Sequence, residues 1–280
     1  MSVRVFAPAK INLTLEVGAP RADGRHPLQS VVMFADVGDW VTAEAANNLS
    51  LSLSGPFAGA LADAEDNLVL RAARALRVDA ALQLEKHLPV ASGVGGGSSD
   101  AAAALKALRA LYGLALSDSD LAGLARELGA DVPVCVAARS AWMTGTGEEF
   151  APVDLPTLDA VLVNPLRPLA TGEVYRQFDR MQLGGSFAVR ASPVWRDREG
   201  AIADIRTVGN DLEAPARALM PELAAVIDAL RADPRALCVG MSGSGASVFA
   251  LAESAAAAHA LADDLRQRAP DWWVQATRLG

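Results

Sequence analysis

The stretch PVASGVGGGSSDAAAALKAL, residues 89–108, places Gly93, Gly95, Gly96 and Gly97 immediately before Ser98, Ser99 and Asp100, at the head of an alanine-rich run. Glycines let the backbone take positive φ and let a ligand come close to it. A helix starting there exposes unpaired N–H groups and the positive end of its dipole, which together suit an anion. The hydroxyls of Ser98 and Ser99 can cap the helix, contact a phosphate or reach a bound Mg²⁺. No Gly-Lys-Ser/Thr follows, so this is not a Walker A loop, and Ser98 stands where G-x-G-x-x-G requires its last glycine. A flexible linker or tight turn is the plainer alternative. The strand pattern before the loop and the strong helix pattern behind it favour phosphate binding.

Three other features could do chemistry. In VGMSGSGASVFAL, residues 239–251, Gly240, Gly243 and Gly245 interleave with Ser242 and Ser244 just before a strand. That pattern suits a bulged hairpin, a sheet corner or a ligand contact. Lys10 lies between Pro8 and an alternating segment, where a lysine taken alone reads as solvated. Asp131, in LGADVPV, follows a helix stop, and its plain reading is a cap.

The elements that must hold these residues follow from periodicity. Ile11, Leu13, Leu15 and Val17 alternate with polar residues, which predicts a strand with one buried face. Residues 31–35 form an apolar, buried strand. Leu49, Leu51 and Leu53 alternate with serines, and Leu82 and Leu84 with Gln83 and Glu85. Asp66 is placed to cap a helix through Leu68, Val69, Ala72, Ala73 and Leu76. A second helix carries Ala101, Ala104, Leu105, Leu108, Leu111 and Tyr112 and ends at Gly113. Ser117 with Asp120 forms a capping box for a third, through Leu121, Leu124, Ala125 and Leu128, stopped at Gly129. Pro152, Pro156, Pro165 and Pro168 mark residues 151–168 as an inter-domain crossing, and residues 186–210 read as loop-rich. Beyond them come a helix over 222–231, a strand over 247–251, a helix over 254–268 and a strand over 272–277, where Trp272 and Trp273 either pack that last strand or form a contact surface.

Composition narrows the classes. The chain has 280 residues, 25 Lys plus Arg against 33 Asp plus Glu, and a formal net charge of −8. Its length suggests about two domains. With no basic block, it has no field to attract nucleic acid. Cys135 and Cys238 sit far apart in apolar runs, which excludes a disulfide framework and a CxxC pair. His26, His87 and His259 are scattered and form no transition-metal cluster. No run approaches ~20 apolar residues and the start lacks a signal-peptide pattern, so the expectation is a cytoplasmic protein with no membrane partner.

Taken together, PAKINLTLEV, PVASGVGGGSSDAAAAL, LGADVPV and GMSGSGASVFAL appear in the order of the GHMP small-molecule kinases. The chain resembles that family over roughly residues 5–251. RADGRHPLQS (residues 21–30), EDNL (65–68) and GND (209–211) extend the likeness. The resemblance implies an α+β, two-domain GHMP kinase fold. Residues 1–155 would form a ribosomal protein S5 domain 2-like domain carrying the ATP loop, and residues 156–280 a ferredoxin-like domain contributing to the substrate cleft.

It also implies a reaction: transfer of the γ-phosphoryl group of ATP, with Mg²⁺, to the 2-hydroxyl of a cytidyl diphosphate-linked methylerythritol in non-mevalonate isoprenoid synthesis. Both substrates are polyanions facing an acidic protein, so local positive potential has to come from the loop, its helix and Mg²⁺. By the same resemblance Asp131 is the catalytic base, and Lys10 orients it and stabilises the transferring group. The ATP loop comprises Pro89, Val90, Ala91, Ser92, Gly93, Val94, Gly95, Gly96, Gly97, Ser98 and Ser99, with Asn67 near the adenine. Asn12 and Thr171 fall at substrate positions, Gly243, Ser244 and Gly245 close on the substrate, and His26 reads the cytosine edge.

One departure stands out. The family usually has tyrosine where this chain has Arg25, and often an aromatic ring where Val208 falls. A guanidinium plane can stack on a base in place of a ring, or pair with the diphosphate. Other GHMP kinases, acting on homoserine or a mevalonate derivative, are the nearest rival reading, and a non-catalytic ligand sensor on the same fold is a rival of another class.

Overall fold

Along the chain, strands and helices alternate in short runs. The computed structural model describes residues 1–61, 67–185 and 187–280. Glu65 and Asp66, the latter expected as a helix cap, lie outside the described residues. The elements are β1 (Ser2–Asn12), β2 (Glu16–Val17), β3 (Leu28–Ala45), β4 (Ser50–Ser54), α1 (Leu68–Leu76), β5 (Ala80–Glu85), α2 (Gly96–Tyr112), α3 (Asp118–Leu128) and α4 (Val132–Ala137). Then come β6 (Ala141–Thr144), β7 (Glu149–Pro152), β8 (Leu158–Asn164), α5 (Thr171–Arg180), α6 (Arg198–Val208), α7 (Glu213–Leu219), α8 (Pro221–Arg231), β9 (Cys238–Met241), β10 (Val248–Leu251), α9 (Ala255–Arg268) and β11 (Trp273–Leu279).

Spatial proximity divides the chain into two units. The first comprises Met1–Lys10, Val37–Val90 and Gly95–Ala138; the second comprises Ile11–Asp36, Ala91–Val94 and Arg139–Gly280. In the first unit, the end of β3 pairs antiparallel with β5 from Trp40↔Glu85 to Ala45↔Ala80, and β5 pairs parallel with β4. Val41 and Ala43 on β3 and Leu82 and Leu84 on β5 are buried, as strand alternation requires. Asn67 caps α1, its Oδ1 accepting the N–H of Val69 at 2.9 Å. Helix α2 owes its stability to its interior, since Ala101–Leu105, Ala107 and Leu108 are all buried. Helix α3 has the expected capping box between Ser117 and Asp120, and its C-cap is Gly129.

The second unit is built on antiparallel pairings. β11 pairs with β8 from Trp273↔Asn164 to Leu279↔Leu158, β8 with β10, and β10 with β9. β6 joins the start of β3 through Ser30↔Met143. The core gathers Val161 and Val163 from β8, Phe178 from α5, Leu223 and Ile227 from α8, and Leu261 from α9. Full burial of one such side chain is worth about 1.5–3 kcal/mol. Trp273 is buried, in keeping with its expected packing role.

The fold is α+β, as expected, with several local corrections. The alternation from Ile11 to Val17 is not one strand with a single buried face: β1 stops at Asn12, β2 covers Glu16–Val17, and every residue from Ile11 to Leu15 is buried. The polar positions are satisfied internally. Asn12 Nδ2 donates to Ser30 Oγ, and Thr14 Oγ1 accepts the N–H of Val31. Residues 187–197 hold no helix or strand, as the loop-rich expectation for 186–210 has it, but that longer stretch also contains α6, capped by Asp197. Only Ala201 and Ile205 of that helix are buried, so its apolar stripe is too thin to read as helical. Residues 151–168 contain the buried strand β8 and fall within the second unit.

Candidate active site

In the first unit, Lys10 and Asp131 meet. Lys10 Nζ donates to Asp131 Oδ2 at 2.7 Å, with 4% of the lysine side chain and 39% of the aspartate side chain exposed. Asp131 occupies the N-cap position of α4 in a helical conformation (φ −84°, ψ −12°) and makes no side-chain cap hydrogen bond. The plain reading of this residue as a cap therefore does not hold; its carboxylate is turned to Lys10 instead. Behind the pair, the Cys135 thiol is buried and pushed up to about 12, chiefly by desolvation, so it stays protonated.

Lys10 also lies against the glycine loop. Gly95 has φ +64°, and a Cβ placed there would sit 3.0 Å from Lys10 Cβ and 3.3 Å from its Cε. Glycine is thus required both by the left-handed backbone and by the lysine stem. Gly95 is the N-cap of α2 and gives it no side-chain cap. The N–H groups of Gly96, Gly97 and Ser98 then have no acceptor within the helix, and they stand ready for an anion beside the ammonium of Lys10. The expectation that Ser98 or Ser99 caps this helix is corrected, because α2 begins at Gly96 and both serines lie inside its first turn. Ser99 donates to the Pro8 carbonyl at 2.6 Å and is buried. Ser98 is half-buried, which leaves its hydroxyl as the one of the two fit to meet a phosphate or its metal.

In the second unit, Ser242 is a junction. Its Oγ accepts the N–H of Asn12 at 3.0 Å and donates to the carbonyl of Gly93 at 2.9 Å. Ser247 N–H donates to the carbonyl of Ser92. A Cβ at Gly93 would lie 2.5 Å from the Ser242 carbonyl oxygen, so the two glycine segments touch backbone to backbone. Asn210 Nδ2 donates to the carbonyls of Met241 and Gly243, each at 2.8 Å, and Asp211 Oδ2 accepts the N–H of Val17. Thr171 and Ser244 share a hydroxyl–hydroxyl hydrogen bond of 2.9 Å. Gly243 and Gly245 have φ +57° and +84°.

His26 is buried in the same unit. Its Nδ1 lies 2.9 Å from the carbonyl of Gly18, which can only accept, so Nδ1 carries a proton. Its Nε2 is 3.5 Å from Asp179, and its ring packs on Tyr175 and Phe178 with centroids 5.0 and 5.7 Å away. A Cβ on Gly18 would fall 2.7 Å from the Cβ of Phe187, so that aromatic residue lies against the anchor of His26. Arg25 is exposed, at the end of a turn in which its carbonyl accepts the N–H of Arg21.

Two family models match the chain: the GHMP kinases N terminal domain over residues 67–139 and the GHMP kinases C terminal domain over residues 198–271. A 4-diphosphocytidyl-2-C-methyl-D-erythritol kinase of Caulobacter vibrioides is 46% identical, with 100% of both chains covered. The chain belongs to the GHMP kinase family. A solved 4-(cytidine 5'-diphospho)-2C-methyl-D-erythritol kinase is 34% identical with a TM-score of 0.79, covering 99% of each chain. A homoserine kinase from Cytophaga hutchinsonii, 19% identical with a TM-score of 0.68 over 99% of this chain and 94% of its own, shares the fold alone. The homologous sequences therefore place this GHMP kinase with the cytidyl methylerythritol enzymes rather than with the homoserine or mevalonate group.

Ser242 and the GND triplet stand out in the sequence, but not the contacts by which Ser242, Asn210 and Asp211 position the second-unit segments. Asp39, Lys86 and Asp100 form a buried charged cluster beside α2. A signal for the first two was available: Asp39 shares the inward face of Val41 and Ala43, and Lys86 that of Leu82 and Leu84. A charge at an inward strand position is the informative exception. Among the described residues no group of three His, Cys, Asp or Glu is assembled for a metal ion, and no helix is long and apolar enough to cross a membrane.

Proposed function

We propose that the chain transfers the γ-phosphoryl group of ATP to the 2-hydroxyl of 4-diphosphocytidyl-2-C-methyl-D-erythritol, giving the 2-phosphate and ADP. The observation that carries this reading is the reachable Asp131 carboxylate held by buried Lys10 beside the uncapped start of α2. That arrangement puts a proton acceptor, a fixed cation and a set of backbone N–H donors within one part of the fold.

Asp131 takes the proton of the acceptor hydroxyl as its oxygen bonds to the γ-phosphorus and the bond to the ADP oxygen breaks. Lys10 holds that carboxylate and meets the charge on the transferring oxygens. Most of the rate in such chemistry comes from positioning and charge stabilisation. The loop from Pro89 to Ser99 cradles the phosphates through the N–H groups of Gly96, Gly97 and Ser98, and Asn67, at the head of α1, borders the adenine. Mg²⁺ on a nucleotide needs only one or two protein oxygens, and the Ser98 hydroxyl fits that need. When bound, the ion would offset charge on the phosphate oxygens.

Asn12, Thr171 and the Gly243–Ser244–Gly245 segment contact the acceptor, and His26 reads its cytosine edge. Phe187, beside the carbonyl that orients His26, supplies an aromatic face where the expected positions carry Arg25 and Val208; Arg25 is left to stack on the base or pair with the diphosphate. The division into domains 1–155 and 156–280 belongs to the same proposal, with the N terminal match lying in the first part and the C terminal match in the second. A cytoplasmic location fits soluble substrates of this kind.

A coupled ADP-release assay with Mg-ATP tests the proposal. Turnover is expected with the cytidyl methylerythritol substrate and not with homoserine or mevalonate. Turnover with one of those alone would move the substrate assignment, and ATP binding without turnover on any would favour a ligand sensor.

A further inference from the structure

Asp39, Lys86 and Asp100 lie outside the chemistry described above and are almost wholly buried. The β3–β5 register pairs Trp40 with Glu85. One residue further on, the same register sets Asp39 opposite Lys86. Lys86 Nζ donates to Asp39 Oδ2 at 2.5 Å and to Asp100 Oδ2 at 2.7 Å. Asp39 Oδ1 accepts the backbone N–H groups of His87 (2.6 Å) and Leu88 (2.8 Å). A Cβ on Gly96 would lie 3.0 Å from Lys86 Nζ, so the ammonium sits directly beneath the first residue of α2.

These contacts join the two ends of one loop. His87 and Leu88 lead into it, and Gly96 and Asp100 are the helix turn that leaves it. Burying two carboxyl groups and an ammonium carries a desolvation cost that packed apolar side chains would avoid. The cluster is therefore poorly explained as a device for stability alone. Its burial also shields its Coulomb attraction from water and fixes its geometry.

We infer that Asp39, Lys86 and Asp100 are positioning residues: a buried ionic staple that holds the ends of the 89–95 loop in the spacing that binds nucleotide phosphates. The inference rests on the nucleotide reading of that loop. The staple touches no substrate, so it acts on nucleotide affinity and leaves the acceptor and the proton transfer largely alone.

The test uses the full-length chain. Lys86→Met removes the ammonium, and Asp39→Asn keeps an oxygen for His87 and Leu88 while turning an amide toward Lys86. The expected result is a KM for Mg-ATP raised about ten-fold or more, with the acceptor KM and the kcat at saturating ATP within about three-fold. Amide exchange of residues 90–95, followed without nucleotide, is expected to quicken in both variants. Leu265→Ala in the core of α9 serves as a control for general destabilisation, and is expected to leave the ATP KM unchanged.

Unchanged ATP KM and loop exchange in a folded variant would overturn the inference, as would equal effects on both substrates together with a fall in kcat. If neither variant folds, the cluster is a folding element and the staple is withdrawn. Absence of ATP protection of the loop in the wild-type chain would instead defeat the nucleotide reading, whatever the variants do to exchange.

Discussion

The ammonium of Lys10 touches the carboxylate of Asp131 at 2.7 Å, yet the lysine side chain is buried and the aspartate side chain is more than one-third exposed. A salt bridge kept for stability has no use for this asymmetry, since the exposed partner contributes little to it. The asymmetry suits a base: the fixed cation aims a carboxylate that another molecule can still reach.

Asp131→Asn is accordingly expected to keep the fold, because the residue makes no cap hydrogen bond and Lys10 keeps an oxygen acceptor. Turnover should fall by about 10²–10⁴-fold, the usual contribution of a positioned base. Nucleotide affinity measured by direct titration should change little. Parallel losses of binding and turnover would make Asp131 a structural residue.

Much of this site is legible in the sequence, and the reasons are local. The glycine run, the alanine helix behind it and the Ser117–Asp120 box each declare themselves within a few residues, so α2 and α3 stand where periodicity put them. What stayed hidden is long-range. Nothing near Ser242 in sequence says that its hydroxyl joins Asn12 to Gly93. The strand expected over Ile11 to Val17 failed because both faces are buried there, and buried Asn12 and Thr14 imitate a solvent-facing side. Asp66 drew the helix-cap expectation, and the cap of α1 is its neighbour Asn67.

Gly95→Ala separates the two demands on that glycine. Left-handed backbone costs an alanine about 1–2 kcal/mol wherever it occurs. Gly113, the C-cap of α2 with φ +58°, has nothing within 4 Å of a built Cβ. Gly113→Ala should therefore lose only that backbone energy in urea unfolding and keep its activity. Gly95→Ala should lose a similar amount and, by pushing on Lys10, also lower kcat/KM by at least about ten-fold. Equal activity in the two variants would mean that the Lys10 contact is slack.

Ser242→Ala removes one hydroxyl from two partners. It deprives the Asn12 N–H of its acceptor in a buried place, which costs about 1–3 kcal/mol. It also frees the Gly93 carbonyl. If Asn12 and the loop serve substrates as proposed, both KM values should rise while kcat at saturation of both substrates changes little. Thermal unfolding alone, with unchanged KM values, would restrict Ser242 to a structural role.

Asp100 gives a pH signature of its own. Desolvation raises its carboxyl from the ordinary 3.8 to about 7, Lys86 opposing the shift and Asp39 adding to it. Between about pH 4 and pH 7 the folded chain then holds a proton that the unfolded chain has released. Folding stability through this group is greatest at low pH, declines as pH rises across that window, and levels off above about 7. Asn at this position mimics the protonated carboxyl and cannot titrate. Urea unfolding of wild type and Asp100→Asn at steps from pH 4.5 to 8 should show their difference in stability shifting against the wild type as pH rises, with an inflection close to 7. A difference that stays flat would place the proton elsewhere, with Asp100 ionised throughout. A difference moving the other way would mean that Lys86 outweighs burial and holds the carboxylate below its ordinary value.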